Sequence, residues 1–223
     1  MKKFTALICS LLILLCSFAV GCAKENPLYS AVSELRNQLF EGSGENFTVK
    51  ACYGFKETPY SSDGLVGEKV YALSFRLMDK ETDTTTYSIS FEYDGKTYKS
   101  DFRLNAITNT VTAMVEIENF SLKELPITIS YAGNNENITL KSIVPSQTIS
   151  YKTALDHLKE NQAELIKVYS DKSGNFNAEI CARIIVKNDK PYWYIGISSN
   201  ERNHKALLID GINGKTLAIR EVF

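Results

Sequence analysis

From Leu28 the apolar residues recur at Leu28, Val32, Leu35, Leu39 and Phe40, at spacings of four, three, four and one. Those spacings trace one face of an α-helix, and Glu41-Gly42-Ser43-Gly44 supplies glycine where such a helix would end. From Phe47 to Val144 the period changes to two. The alternation predicts strands over 47–56, 68–78, 84–93, 97–105, 111–118, 126–132 and 136–143. Asp94-Gly95 lies between two alternating aromatic runs and reads as a tight hairpin turn. Gly133-Asn134-Asn135 is a second turn signal, and residues 57–67, with Pro59, Gly64 and Gly67, read as a loop. Short strands at this spacing argue for an antiparallel sheet or sandwich.

Pro145-Ser146-Gln147-Thr148 interrupts the pattern and marks a boundary. Ser150 then suits an N-cap, and Tyr151, Ala154, Leu155 and Leu158 mark one helical face ending near Asn161. Strands are expected again over 164–170, 177–187, 191–198, 205–210 and 216–222. The expected fold class is therefore α+β. An N-terminal helix and an antiparallel, sandwich-like β-rich domain span 28–144, and a small helix-on-antiparallel-sheet domain spans 148–223. In that second unit Leu208, Leu217 and Ile219 are expected to meet Leu155 and Leu158, with a tight turn at Asp210, Gly211, Asn213 and Gly214.

The first residues form a different kind of segment. Lys2 and Lys3 precede an uncharged apolar run from Phe4 to Val20, which ends in Ala19-Val20-Gly21-Cys22. That layout is a secretory signal peptide, and its end resembles the lipobox of bacterial lipoproteins, although Ala19 stands where that family more often has Leu. The resemblance implies a signal peptide over 1–21 and lipidation of Cys22, which carries a diacylglycerol and an acylated (palmitate-type) amine. Several acyl chains on one residue give the stable attachment that one chain does not. A short tether over 22–27 would then hold the protein on the extracytoplasmic face of the cell membrane.

A second resemblance covers 148–223. The run Ile149-Ser150-Tyr151-Lys152-Thr153-Ala154-Leu155 resembles the start of PepSY domains. Leu208-Ile209-Asp210-Gly211-Ile212-Asn213-Gly214-Lys215-Thr216-Leu217 resembles their terminal hairpin, with Trp193 in the preceding strand. Asn213 and Gly211 depart from the Thr and Ala usual there. The resemblance implies a role in binding or regulating another envelope protein, and it brings no catalytic residues with it.

Composition narrows the function classes. Two of the 25 basic residues lie in the signal, so the mature chain carries 23 basic against 26 acidic residues, a net charge of −3. Acidic and basic residues alternate along the chain without a basic stripe, which argues against nucleic acid as a partner. The 11 Phe and 12 Tyr residues suffice for real cores, so no long stretch is expected to be disordered.

Besides Cys22, the mature chain has only Cys52 and Cys181. In 47–53 the apolar face is Phe47, Val49, Ala51 and Tyr53, which leaves Cys52 beside Thr48 and Lys50. In 179–184 Ile180, Ala182 and Ile184 leave Cys181 beside Glu179 and Arg183. Both thiols therefore fall on the polar side of a strand. An oxidising compartment permits a disulfide between them; two unpaired thiols packed by their neighbours is the simpler arrangement.

Catalytic, metal-binding and cofactor-binding constellations are not legible. His157 and His204 have no partner at ligand spacing, and no zincin or nucleophile-elbow motif occurs. Gly214-Lys215-Thr216 and Gly95-Lys96-Thr97 lack the first glycine of a phosphate loop. The carboxylates Asp79, Glu81, Asp83, Glu116 and Glu118 read as the solvated sides of strands and turns. Alternation turns Trp193 into the core and leaves Tyr192 and Tyr194 as candidate partner contacts. The expected function is a non-enzymatic, lipid-anchored envelope protein that binds another envelope protein, with small-ligand or glycan binding as the alternative.

Overall fold

The computed structural model of the chain describes residues 25–59, 66–79, 86–200 and 204–222. The signal segment, Cys22, Glu81 and Asp83 lie outside the described residues. Nine strands come first: β1 (Val32–Ser43), β2 (Phe47–Thr58), β3 (Glu68–Asp79), β4 (Tyr87–Tyr93), β5 (Lys96–Asp101), β6 (Arg103–Asn105), β7 (Thr110–Glu116), β8 (Glu124–Tyr131) and β9 (Asn134–Ser142). Helices α1 (Tyr151–Asn161) and α2 (Ala163–Val168) follow, then β10 (Glu179–Lys187), β11 (Lys190–Ser198), β12 (His204–Asp210) and β13 (Thr216–Val222).

All these strands belong to one sheet that forks at β1. One edge of β1 pairs along its length with β2. The other edge is shared: Val32–Arg36 pair with β10 in parallel, and Phe40–Glu41 pair with β9 antiparallel. The path β6-β7-β3-β2-β1-β9-β8-β4-β5 curls until its ends meet. Only Phe102 separates β5 from β6, and its amide donates to the Tyr87 carbonyl at 2.9 Å. The result is a nearly closed barrel. The second branch, β10-β11-β12-β13, carries α1 across one face.

This architecture overturns the expected α+β class with its N-terminal helix and sandwich. Residues 27–31 form turns and 32–43 are strand. The helix-like spacing has a physical origin. The register slips between Val32 and Glu34 against β10, and again between Arg36 and Gln38 against β2. Each bulge inserts one residue and reverses the in–out alternation, so Val32, Leu35 and Phe40 can all face inward at odd spacings. Val32, Ser33, Glu34 and Leu35 are moreover buried in succession, as in a strand covered on both faces.

The segment 164–170, expected as strand, contains the short helix α2, because the neighbouring Leu165 and Ile166 both pack on the second core. Adjacent residues share a side on a helix and not on a strand. Elsewhere alternation located the strands to within about three residues. Asp94 and Gly95, with φ of 50° and 70°, make the expected hairpin turn between β4 and β5.

Two apolar cores lie on the inner face of the sheet. The first fills the barrel and includes Phe40, Val49, Leu73, Phe75, Ile89, Leu125, Ile129 and Leu140. The second joins Leu28, Val32, Leu35 and Phe55 to Ala154, Leu155 and Leu158 of α1 and to Ile180, Ala182, Trp193, Ile195, Leu207 and Ile209. Strand β1 thus serves both. Helix α1 starts at Ser150, whose Oγ accepts from the Thr153 amide at 3.1 Å, and the Trp193 indole donates to the Ile149 carbonyl at 3.0 Å. Asp156 accepts from the Tyr29 hydroxyl and from the Asn26 amide, tying the entry turn to the helix.

Leu207 and Ile209, rather than Leu208, meet the helix side, while Leu217 and Ile219 stay partly exposed on the outer strand. The parity of β12 is one residue off the expectation.

The 210–214 turn forms as expected. Asp210 Oδ1 accepts from the amides of Ile212 and Asn213 at 2.8 and 3.2 Å, and Gly214 adopts a φ of 73°. A Cβ at Gly214 would lie 2.1 Å from Cδ2 of His157 on α1. Gly214→Ala should therefore combine left-handed strain with displacement of His157 and lower stability by about 2 kcal/mol. Gly95→Ala, with a similar φ and open space around it, should cost about half as much. Chemical denaturation of the two variants measures the difference.

Candidate functional site

The outer face of the same sheet mixes charged side chains with apolar ones such as Met114 and Ile185. Alternation puts Arg36 of β1 on it, with Lys50 and Cys52 of β2, Ser74 and Arg76 of β3, and Thr112 and Met114 of β7; the bulge after Arg36 brings Leu39 to its edge, where it also packs on the second core. Arg103 of β6, Arg183 of β10 and Tyr194 of β11 complete it. Together with Ser100 and Asp101 they line an open groove of about 1040 Å³. A smaller hollow of about 510 Å³ continues it past Arg36, Cys52, Ser74 and Met114 towards Lys56 and Glu116.

Strand register assembles the charges. Arg36 lies directly opposite Arg183, which lies opposite Tyr194. Lys50 lies opposite Arg76, and Arg76, Thr112 and Arg103 follow one another across β3, β7 and β6. Like charges directly opposite on neighbouring strands destabilise a sheet. The two pairs are handled differently.

Glu34 bridges the first pair and offsets one of its two charges. Its side chain is only 6% exposed, and it accepts a two-pronged contact from Arg183 (Nε at 3.0 Å, Nη2 at 2.7 Å) and one from Arg36 Nε at 2.7 Å. Burial pushes the Glu34 carboxyl up, but the Arg183 hydrogen bonds and the charges of Arg36 and Arg183 outweigh it and hold it below its ordinary value. This is the geometry in which a guanidinium fork recognises a carboxylate.

The second group is less well served. Glu41 approaches Lys50 at 3.3 Å, whereas Arg76 and Arg103 have no carboxylate within 4 Å among the described residues. Lys50, Arg76 and Arg103 against Glu41 and Asp101 leave 3 − 2 = +1, and Arg36 and Arg183 against Glu34 leave another 2 − 1 = +1. That excess sits on a chain whose overall charge is negative.

Both internal cysteines open onto this face and both are free. They lie on opposite neighbours of β1, Cys52 across from Leu39 and Cys181 across from Glu34. Two strand spacings alone amount to about 9.6 Å, beyond the roughly 7 Å that a disulfide spans. The bridge permitted by the sequence is therefore out of reach in this fold. Burial raises the Cys52 thiol, and burial with the Glu34 charge pushes Cys181 up to about 12. The Cys181 thiol donates to Glu34 Oε2 at 3.6 Å. Both stay protonated at neutral pH and are poor nucleophiles.

The other singled-out residues are dispersed. Tyr194 joins the groove, while Tyr192 is half-buried opposite Asp210 at the far end of β11. His157 packs against the 210–214 turn, and His204 is exposed at the start of β12. Glu116 is exposed at the end of β7, and Glu118 lies beyond the strand. Sequence reasoning missed the cationic cluster, whose successive members are 14 to 80 residues apart along the chain. Compared with family models, with curated proteins and with solved structures, the chain shows no significant match to any of them.

Proposed function

We propose that the chain is a non-enzymatic, lipid-anchored protein of the bacterial cell envelope, held on the extracytoplasmic face through Cys22, which binds another envelope component in the groove on its outer sheet face. The observation that carries this reading is the convergence of Arg36, Lys50, Arg76, Arg103 and Arg183 on one concave surface. Concavity with a few convergent polar groups favours a ligand over a flat protein contact. Protonated thiols, and a Glu34 carboxylate engaged by two guanidiniums, support binding rather than group transfer. The lipobox-like end and the PepSY-like terminal segment belong to the same reading.

A second reading, docking of a protein partner, is favoured by β13. Among the described residues it pairs only with β12, and Leu217 and Ile219 are 46% and 44% exposed on it. An open edge of this kind can accept another strand.

Two experiments test the proposal. Cys22→Ala should move the protein from the membrane fraction to the soluble envelope fraction or the medium; persistent membrane association with the signal removed would contradict the anchor. Soluble cell-wall fragments should raise the melting temperature of the exported protein, and Ser74→Trp, which plugs the middle of the groove, should abolish the rise. A rise that survives Ser74→Trp, with hydrogen-exchange protection along β13, would move the binding site to the sheet edge.

A further inference from the structure

We infer that the groove's ligand carries a phosphate group, seated over Arg76, Thr112 and Arg103. This rests on the groove being a binding surface and goes on to name what it binds. Arg76 and Arg103 flank Thr112 on adjacent strands, so two long cationic side chains can converge above one hydroxyl. Lys50 stands directly opposite Arg76 on the other side.

The fold resolves an equivalent conflict elsewhere. Arg36 and Arg183 also oppose each other, and the buried Glu34 carboxylate bridges them. No acid plays that part between Arg76 and Arg103 among the described residues, although Asp101 lies in the same groove. An incoming oxyanion would fill the vacant role, accepting from guanidinium forks as Glu34 does. Lys50, Arg76 and Arg103 against Glu41 and Asp101 leave a local excess of 3 − 2 = +1, and a phosphate brings three acceptor oxygens, enough to meet both guanidiniums and the Thr112 hydroxyl at once. A carboxylate offers only two oxygens to these three donors.

Such a phosphate has two sources for a membrane-tethered protein, a soluble phosphate ester or a lipid headgroup. The probes are inorganic pyrophosphate and vesicles of phosphatidic acid in phosphatidylcholine, added to exported protein carrying Cys22→Ala so that no acyl chain contributes. Pyrophosphate should bind in calorimetry with an affinity that falls as salt rises. Arg76→Gln with Arg103→Gln should weaken it at least tenfold, and Lys172→Gln, in the exposed turn after α2 and outside the groove, should leave it within twofold. Binding to the phosphatidic acid vesicles but not to pure phosphatidylcholine assigns the lipid source; pyrophosphate binding without vesicle binding assigns the soluble one.

The inference is overturned if neither probe binds, or if the double variant binds as well as the parent. Should it fail while cell-wall fragments still give a melting shift that Ser74→Trp abolishes, the groove remains a binding site for a ligand without phosphate.

Discussion

Gly54→Ala should be among the most damaging single-methyl changes in the protein. Gly54 lies opposite Arg36, beside the bulge where β1 slips against β2. A Cβ there would sit 1.7 Å from the Leu35 carbonyl oxygen and 2.7 Å from its carbon. Both are backbone atoms of a strand held on two sides, so no side chain can rotate away. The β1–β2 pairing must open or the bulge must move, and Leu35 supports the second core while Phe40 supports the first. The expected loss is about 3 kcal/mol or more. For a chain of this size that corresponds to roughly 6–12 °C in melting temperature. Gly67→Ala is the control: its nearest atoms would be 3.9 Å away, and it should stay within about 0.5 kcal/mol. Equal behaviour of the two variants would mean that the chain does not pack at Gly54 as described.

Glu34→Ala should rank next. The substitution removes the carboxylate between Arg36 and Arg183 and leaves two guanidiniums facing each other across β1 and β10. Breaking a fully buried ion pair costs about 3–5 kcal/mol. The two arginine side chains keep 47% and 40% of their exposure, so water screens part of the loss and about 2 kcal/mol is expected. The effect depends on pH with a definite sign. Because the folded carboxyl is held below its unfolded value, its contribution is present above the ordinary carboxylate range. It is lost as pH falls through the depressed value. The stability gap between the natural protein and Glu34→Gln should therefore be full at pH 7 and close under acid conditions. Denaturation curves at neutral pH and below about pH 4 test this, and a gap that widened in acid would contradict the assigned ion pair.

The sequence disclosed strands and turns far better than it disclosed how they join. Wherever a strand is covered on one face only, as in β2 or β4, side-chain alternation survived and was readable. It failed in β1, the strand that connects the two cores. There two bulges and burial on both faces imitate helical spacing, and neither leaves a signature in composition. The helix α1 was legible because Ser150, Ala154, Leu155 and Leu158 keep their helical spacing without interruption.

The groove was illegible for another reason. Each of its cations sits at an ordinary solvent-facing position of an amphipathic strand. Only the register that sets Lys50 against Arg76, and Arg36 against Arg183, turns five scattered residues into one surface. Cys52 and Cys181 were placed on the polar side by alternation, correctly, but the distance that forbids their bridge depends on β1 running between them.

The most direct test of the groove as a phosphate-binding surface is amide chemical-shift mapping of the isotope-labelled exported protein during titration with pyrophosphate. Shifts should concentrate at Arg36, Lys50–Cys52, Ser74–Arg76, Ser100–Arg103, Thr112–Met114 and Arg183–Ile185, the segments that line the groove. Shifts gathered along β13, or none at saturating pyrophosphate, would contradict it.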